Sequence, residues 1–354
     1  MKILGIETSA DDTGIALIEA EGKFGPDFSY NVLGNSTSSQ AVHAQYGGIF
    51  PALAKREHAK NLPAVLDQVL NDAHESVSHP SIDAIAVTHG PGLEPCLWTG
   101  ITFAQELSKK WTVPIVPVNH MEGHIVISMM DLRNPSLGKL TKVDFPALAL
   151  LVSGGHTELI LMKSFGRYEY IGRTRDDAVG EAFDKVARLL ALPYPGGPEI
   201  SRLAAYARSE KLPALLKLPR PMMTSDDYDF SFSGLKTAVE RYVQARELRL
   251  LDREKLACEF EDSVTDVLVY KTLRAVEEYG ANAVVMGGGV SANKHIRDEL
   301  SSKLQAVGCR LLVCPSEFST DNGLMIALAG YFHALKKEFA NPANLAANGN
   351  LKLC

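Results

Sequence analysis

The chain of 354 residues lacks the features that define several large classes of protein. Its longest purely apolar stretches, such as Phe145–Val152, are far too short to cross a bilayer as a helix, so we expect no membrane association. Its five cysteines form no C-x-x-C pair and are odd in number, which favours reduced thiols in a cytosolic protein. Its 36 basic residues are outnumbered by 42 acidic ones, which excludes a general binder of polyanions.

Two further signatures are missing. The N-terminus has one lysine, a short apolar run and then acids, unlike a secretory or mitochondrial presequence, so we expect a cytoplasmic protein. No G-x-x-x-x-G-K-[ST] run occurs, which excludes a P-loop. Basic stretches that could contact nucleic acid are more often solvated helix faces. The candidates are Lys211, Lys217 and Arg220 in one stretch, and Arg241, Arg246, Arg249 and Arg253 in another.

The sequence does contain one α/β pattern that occurs twice. Two apolar runs flank a small-residue turn at Thr8–Gly14 and again at Ser153–Thr157, which predicts two β-hairpins, the second with a possible third strand at Tyr168–Ile171. Helical stretches follow each hairpin. A short buried strand then leads into a Gly-rich turn, within Ile82–Gly92 and Asn282–Ile296. The repeated order predicts two α/β lobes with ligands bound beyond the strand ends.

Four small-residue turns follow predicted strands and are candidates for binding a phosphate group: TSADDTG, THGPGLEP, VSGGHT and GGGVSAN. Backbone N–H groups without side-chain bulk can point at an anion there, and a following helix adds its dipole. One such turn would be weak evidence, because most only reverse the chain. Four of them favour a phosphate or nucleotide ligand. No well-placed ribose acid follows GGGVSAN, which argues against a Rossmann site.

Several polar residues near these turns have two readings each. Asp11 and Asp12 either cap or solvate the first turn, or bind a metal or act as a base beside a phosphate. Glu181 and Asp184 share a predicted helix face, as an ordinary surface pair or as ligands of ribose hydroxyls. Asn293 begins a predicted helix, as a cap or as a base- or sugar-binding group. The residues alone leave these alternatives open.

The stretch NHMEGHIVIS contains two histidines four residues apart. In a helix, His120 and His124 lie about 40° apart around the axis and can share one metal ion. The H-E-x-x-H motif of metallopeptidases needs a glutamate directly after the first histidine. Here Glu122 comes two residues later, about 200° round the helix, and should point away from the ligands. Asp321, in STDNG, is a candidate third ligand, although N-capping would also explain it.

Together these motifs resemble those of the TsaD/Gcp (Kae/Qri/OSGEP-type) family of tRNA threonylcarbamoyladenosine transferases. The matching runs include GIETSADDTG, YGGIFPALAKREH, NHMEGH, LLVSGGHTELI, GEAFDK, YPGGP, DFSFSGLKT, GGGVSAN and STDNG. The resemblance implies a duplicated, two-lobed α/β fold of the actin/sugar-kinase/Hsp70 type with a central nucleotide and metal cleft. We expect an N-terminal lobe of residues 1–115 plus 330–354. The C-terminal lobe, 116–329, is expected to carry the metal and most nucleotide-binding motifs.

The family transfers threonylcarbamoyl from threonylcarbamoyl-AMP to N6 of adenosine 37 in tRNAs that read codons beginning with A. The resemblance therefore implies AMP or ATP binding, and iron or zinc held by His120, His124 and Asp321. Our hypothesis for the base that deprotonates the attacking amine is Asp11. The expected nucleotide-binding residues are Leu151, Val152, Ser153, Gly154, Gly155, Asp184, Gly197 and Asn293. Expected partners are tRNA, a paralogous TsaB-type subunit, a TsaE-type ATPase and an upstream threonylcarbamoyl-AMP synthase, with a homodimer as the alternative assembly.

The chain departs from the family pattern at several positions. Ala10 and Asp12 replace the usual Cys and Glu, and Ala52 replaces the Glu of P-E-L-A, so no cysteine nucleophile is needed. Leu151 and His156 replace the Tyr and Asn of archaeal and eukaryotic cytosolic members, which indicates the bacterial or mitochondrial branch, and the lack of a presequence favours the bacterial one. The alternatives are a zinc metallopeptidase (the family's historical label), a kinase or ATPase that the fold would permit, and a non-catalytic nucleotide-binding subunit.

Overall fold

The chain forms two compact units in a computed structural model that describes residues 1–132, 137–245 and 249–354. The first unit comprises Met1–Lys142 and Cys314–Leu353, and the second comprises Val143–Val313 with Cys354. None of the helices in the described residues combines the length and the apolarity that crossing a membrane requires.

This division differs from the expected lobes 1–115 plus 330–354 and 116–329. The strand that begins at Ile115 joins the first sheet, and the helices that begin at His120 and Gly323 pack with that sheet and with each other. The first unit therefore contains all three expected metal ligands, and the second contains the expected nucleotide-binding residues.

The first unit is built on a mixed sheet. Its strands in the described residues are β1 (Lys2–Glu7), β2 (Asp12–Glu21), β3 (Ser29–Ser39), β4 (Ala84–Gly90), β5 (Ile115–Asn119), β6 (Met130–Asp131) and β7 (Gly138–Leu140). Their order is β5-β4-β1-β2-β3-β7-β6. Strand β1 pairs antiparallel with β2 and parallel with β4. It therefore belongs both to a hairpin and to a parallel βαβ arrangement, and it ends in Glu7.

Helices α1 (Pro51–Asp72) and α2 (Glu94–Trp111) cover one face of this sheet, and α3 (His120–Ser128) follows β5 directly. Alternate residues of β1 supply the apolar face, because side chains in a strand point to opposite sides in turn. Leu4 and Ile6 are fully buried in one cluster with Leu62 of α1 and Ile101 of α2.

The second unit repeats this plan. Its strands are β8 (Ala147–Val152), β9 (Thr157–Ser164), β10 (Arg167–Arg173), β11 (Ala283–Gly287) and β12 (Arg310–Val313). Its helices are α4 (Val179–Leu189), α5 (Gly196–Ser209), α6 (Ser233–Gln244), α7 (Leu250–Tyr279) and α8 (Lys294–Ala306). A short 3-10 helix occurs in this unit at Gly289–Ala292, and others occur in the first unit at Ala41–Tyr46, Ser316–Phe318 and Pro342–Asn344. The sheet order is β10-β9-β8-β11-β12.

The two sheets share one topology. Strands β8, β9 and β10 form an antiparallel meander, as β1, β2 and β3 do, and β11 and β12 pair parallel beyond β8 as β4 and β5 pair beyond β1. This match confirms the predicted duplication of an α/β unit and both predicted hairpins.

Helix α9 (Gly323–Leu335) covers the face of the first sheet opposite α1 and α2. Its first turn lies directly over Gly5 of β1, where an added Cβ would collide with the Gly323 carbonyl oxygen and the Ala327 nitrogen. A glycine is required at this close approach of helix and strand backbones. The approach brings Asp321, two residues before the helix, beside the turn that follows β1.

Candidate functional site

The histidine pair lies at the start of α3. The helix begins where the Asn119 side chain accepts a hydrogen bond from the Met121 N–H at 2.9 Å, which is an N-cap. Because His120 and His124 are four residues apart, both rings lie on one side of the helix, with centroids 4.7 Å apart and planes nearly perpendicular. Both residues are buried.

Asp321 completes the cluster from the loop before α9. Its Oδ1 lies 3.4 Å from His120 Nε2 and 3.2 Å from His124 Nε2. The helix cap is the next residue, Asn322, whose side chain accepts the Met325 N–H at 3.0 Å. The Asp321 carboxylate is thus turned towards the histidines instead of capping α9.

The geometry and chemistry of this cluster fit a divalent transition metal. One potential ligand atom from each of His120, His124 and Asp321 lies within 4.8 Å of the others. Among the described residues, Nδ1 of the buried His124 has no hydrogen-bond partner, which is costly unless another group binds there. Two imidazoles and one carboxylate with open positions suit iron or zinc.

The electrostatics of the cluster also favour a cation. Burial opposes a charge on His120, but the carboxylates of Asp321 and Glu7 outweigh it and raise the pKa of His120. Burial lowers the pKa of His124. The carboxylates of Asp321 and Glu7 therefore favour positive charge at this cluster, which a metal ion would supply when both histidines are neutral.

Two residues at the end of β1, which the sequence analysis did not single out, contact this cluster. Glu7 Oε2 lies 3.0 Å from His120 Nδ1, and the Ser9 hydroxyl lies 3.2 Å from that atom and 3.3 Å from Asp321 Oδ2. Glu7 is fully buried and Ser9 nearly so. The one sequence signal was the position of an acid at the end of an apolar strand, immediately before a candidate ligand-binding turn.

Glu122 points away from the metal cluster, as predicted from its helical position. Its Oε2 lies 2.6 Å from His333 Nε2 on α9. A zincin-type general base would have to reach a metal-bound water, and Glu122 is held in a different ion pair. The arrangement argues against a metallopeptidase.

The turn between β1 and β2 carries Asp11 and Asp12. Burial raises the pKa of Asp12 to about 7, and the Asp321 carboxylate adds to the shift. The backbone carbonyl of Asp11 accepts the Gln40 N–H at 3.2 Å. The predicted base is therefore fixed in a turn next to the metal cluster, and its catalytic role stays a prediction.

His58 of α1 forms hydrogen bonds to this turn and to the start of β2. Its Nε2 lies 3.0 Å from the Ala10 carbonyl oxygen and its Nδ1 lies 2.8 Å from Thr13 Oγ1. A carbonyl oxygen only accepts, so Nε2 carries the proton and Nδ1 accepts from the Thr13 hydroxyl. Burial lowers the pKa of His58 and keeps it neutral in this bridge. Nothing in the motif AKREHAK indicated this role.

The expected nucleotide-binding run lies at the end of β8. The side chains of Leu151 and Val152 are fully buried, so a ligand could meet only their backbone. Gly154 and Gly155 follow in the turn, and an added Cβ at either would meet no other atom within 4 Å. Gly180 of α4 packs beneath, with its N–H donating to the Ser153 carbonyl at 3.1 Å. The turn thus presents open backbone in front of a helix N-terminus, as phosphate sites do.

Two other residues that we expected to bind the nucleotide make hydrogen bonds to groups of the protein. Asp184 Oδ1 accepts the N–H of Gly196 at 2.7 Å, at the first turn of α5. Asn293 Oδ1 caps α8 at the Ile296 N–H, 3.0 Å away, and its Nδ2 donates to Ser201 and Glu261. These contacts fit the capping reading of Asn293. Gly197, in contrast, has open space where a Cβ would lie.

The basic stretches are partly neutralised. Arg220 pairs with Glu259 and with Asp266, and Arg249 lies 3.2 Å from Asp252. Arg246 lies outside the described residues. These stretches supply less free positive charge than their sequence suggested.

The chain is similar to proteins of one family. A family model described as TsaD, tRNA N6-adenosine threonylcarbamoyltransferase, matches residues 31–328. A protein of that name from Aromatoleum aromaticum is 44% identical over 335 residues, which are 94% of this chain and 92% of the relative. Another of that name, from Thermosipho africanus, is 41% identical over 354 residues and covers both chains completely.

Solved structures resemble the chain in fold. The crystal structure of HypF from T. kodakarensis aligns with a TM-score of 0.58 and 14% identity, covering 98% of this chain and 49% of that one. At this identity the likeness concerns the fold alone. It agrees with the two-sheet architecture of the actin/sugar-kinase/Hsp70 type.

Proposed function

Since the chain belongs to the TsaD family of tRNA N6-adenosine threonylcarbamoyltransferases, we propose how its own residues carry out that family's reaction. The protein transfers threonylcarbamoyl from threonylcarbamoyl-AMP to N6 of adenosine 37 in tRNAs that read codons beginning with A, and releases AMP. The observation that carries this conclusion is the similarity to a transferase of the same name along the whole chain.

The reaction is an acyl-type substitution at the carbamoyl carbon. The N6 nitrogen of adenosine forms a bond to that carbon, and the bond from the carbon to the phosphate oxygen breaks. The AMP phosphate leaves with the electron pair, and N6 loses a proton. We assign the acceptance of that proton to Asp11, because a positioned carboxylate is a suitable general base and the residue lies in the turn beside the metal cluster.

His120, His124 and Asp321 would hold one divalent ion, iron or zinc, in this proposal. When bound, such an ion supplies Lewis-acid stabilisation for the carbamoyl and phosphate oxygens. The support is the convergence of the three side chains and the buried Nδ1 of His124, which has no hydrogen-bond partner among the described residues.

We assign AMP, and the AMP portion of the substrate, to the second unit. The run Leu151–Gly155 would contact the phosphate through its backbone, and Gly197 leaves room for a ligand at the start of α5. In this assignment Asp184 and Asn293 act on the nucleotide mainly by holding the N-termini of α5 and α8 in place.

The assembly and compartment are further proposals. The family resemblance supports a TsaB-type partner and a TsaE-type ATPase, with the adenylate supplied by a threonylcarbamoyl-AMP synthase. The paired basic stretches support a complex in which partners contribute to the tRNA-binding surface. We propose a cytoplasmic location, which a tRNA substrate and an ATP-derived adenylate support.

One assay tests the activity and the metal assignment together. The full chain is incubated with unmodified tRNA, threonine, bicarbonate, ATP and the synthase, with and without TsaB- and TsaE-type partners, and the nucleosides are analysed by mass. We expect threonylcarbamoyladenosine with the wild type and with Asp27→Asn, a change at an exposed acid. Asp321→Asn should lose most of the product. No product from the wild type, even with partners, would contradict the proposed function.

A further inference from the structure

Glu7 is a fully buried carboxylate whose two oxygens are both hydrogen-bonded. Its Oε2 accepts the hydroxyl of Thr88 on β4 at 2.6 Å and lies 3.0 Å from His120 Nδ1. Its Oε1 accepts the backbone N–H of Ser9. Burying an ionised carboxylate is costly unless such donors surround it, so this arrangement is built around a charge at Glu7.

The contact between Glu7 and His120 fixes the state of the imidazole. An ionised carboxylate only accepts hydrogen bonds, so the proton of a neutral His120 resides on Nδ1. The lone pair is then on Nε2, the nitrogen that lies 3.4 Å from Asp321 Oδ1. This is the tautomer that a metal ligand requires, because the coordinating nitrogen must be free of its proton.

The neighbouring Ser9 orients the other side of the cluster. Its hydroxyl lies 3.3 Å from Asp321 Oδ2, which leaves Oδ1 turned towards the two histidines. Glu7, Ser9 and Thr88 therefore connect the ends of two adjacent parallel strands to two of the three proposed ligands.

We propose that Glu7, held by Thr88 and the Ser9 backbone, is a positioning residue that fixes His120 in its metal-binding tautomer and orientation. The proposal rests on the metal site of the proposed function. A carboxylate that hydrogen-bonds to a metal-binding histidine raises the affinity of the site for its metal. Losing that carboxylate lowers the affinity roughly 10–100-fold.

Glu7→Gln tests the idea closely because it keeps shape and removes charge. If the amide oxygen faces His120 and Thr88, the amide NH2 meets the Ser9 N–H, and two donors oppose each other. If the amide is flipped, its NH2 faces His120 Nδ1 and favours the proton on Nε2, the ligand atom. Either orientation disturbs the site.

The measurements are the affinity of the full chain for Zn²⁺, by competition with a chelator, and the visible spectrum of the Co²⁺ protein. We expect Glu7→Gln to weaken Zn²⁺ binding roughly 10–100-fold and to change the Co²⁺ spectrum. Thr88→Val should weaken Zn²⁺ binding less than Glu7→Gln does. Thr88→Ser, which keeps the hydroxyl, should bind Zn²⁺ as the wild type does. The matched control is Glu75→Gln, the same change at a partly buried glutamate that pairs with Lys2 at the opposite end of β1. It should leave Zn²⁺ affinity close to that of the wild type.

The outcomes separate the two proposals. If the wild type binds no Zn²⁺ or Co²⁺, the metal site and the role of Glu7 are both wrong. If the wild type binds and Asp321→Asn does not, while Glu7→Gln binds as tightly as the wild type, only the role of Glu7 is wrong. Thermal unfolding of each metal-free variant checks its fold. If Glu7→Gln does not fold, wild-type affinity in Thr88→Val overturns the role.

Discussion

Asp11 is the residue to which we assign the proton transfer. The adenosine amine is a weak nucleophile until its proton leaves, and general-base catalysis contributes roughly 10²–10⁴-fold. We therefore expect Asp11→Asn to lower the single-turnover rate constant with preformed threonylcarbamoyl-AMP by about that factor, with unchanged melting temperature and Zn²⁺ affinity. Asp27→Asn, at an exposed acid of the same unit, should react at the wild-type rate. Wild-type rates in Asp11→Asn would remove Asp11 from the mechanism.

Glu158, on β9, predicts a pH dependence of stability. Burial raises the pKa of Glu158 to about 7 from its usual 4.5, against the opposing charge of Arg173, and its Oε2 has no hydrogen-bond partner among the described residues. Between pH 4.5 and 7 the unfolded chain loses this proton while the folded chain keeps it, so the folded state loses stability as pH rises. The full penalty, at most about 3 kcal/mol because the side chain keeps some exposure, applies above pH 7.

Glu158→Gln removes this penalty. Its unfolding free energy, from urea denaturation, should exceed that of the wild type by more at pH 8 than at pH 5. The matched variant Glu210→Gln, at an exposed glutamate of the same unit, should show the same small difference at both pH values. An equal effect of Glu158→Gln at both pH values would show that Glu158 titrates normally.

At the scale of elements, the ion pair of Glu122 and His333 joins the two helices that bring the proposed ligands together. The pair connects α3 with α9 at 2.6 Å, and the Glu338 side chain also contacts the His333 ring. Burial opposes a charge on His333, but the carboxylates of Glu122 and Glu338 outweigh it and raise the pKa of His333. This histidine therefore adds stability at low pH, which is lost as pH rises through its pKa in the folded state.

His333→Gln tests this tie. We expect its melting temperature to fall below that of the wild type by more at pH 6 than at pH 9, by an amount equivalent to about 1–3 kcal/mol at pH 6. Glu338→Gln, at the more exposed partner, should have a smaller effect. A loss in His333→Gln that is the same at both pH values would mean that the ring acts only by packing.

Elements with a clear hydrophobic pattern were predictable from the sequence, and mostly polar elements were not. Both hairpins and the buried strands β4 and β11 follow from apolar runs between turns, and β10 contains the possible third strand predicted at Tyr168–Ile171. Strand β3, with the sequence SYNVLGNSTSS, carries mostly polar residues and was not recognised, because pairing with β2 and not its own pattern makes it a strand.

The sequence likewise predicted only part of the candidate site. Spacing on one helix predicted the position of His120 relative to His124 and the direction of Glu122 away from the metal cluster. The family motifs named Asp321, and the fold brings it to the pair over some two hundred residues of chain. Glu7 and His58 escaped prediction because their roles exist only as contacts between β1, β4, α1 and α3, which no local pattern records.

For the molecule as a whole, the duplicated topology assigns different chemistry to equivalent turns. The hairpin turn of the first unit carries two acids beside the metal cluster, whereas that of the second carries Gly154 and Gly155 in open space. The residues proposed to bind the metal and those proposed to bind the nucleotide lie in different units, so we expect single substitutions to separate the two kinds of binding. Transfer of the threonylcarbamoyl group needs both.

Gly155→Val and Asp321→Asn test this separation. An added Cβ at residue 155 has no atom within 4 Å apart from its chain neighbours, so we expect Gly155→Val to keep the melting temperature and Zn²⁺ affinity while its AMP affinity, measured by calorimetry, falls roughly tenfold. Gly234→Ala, at another glycine of the second unit with open space around it, should bind AMP as the wild type does. Asp321→Asn should show the converse, with Zn²⁺ affinity lost and AMP affinity kept. Wild-type AMP affinity in Gly155→Val would remove the β8 turn from the nucleotide site.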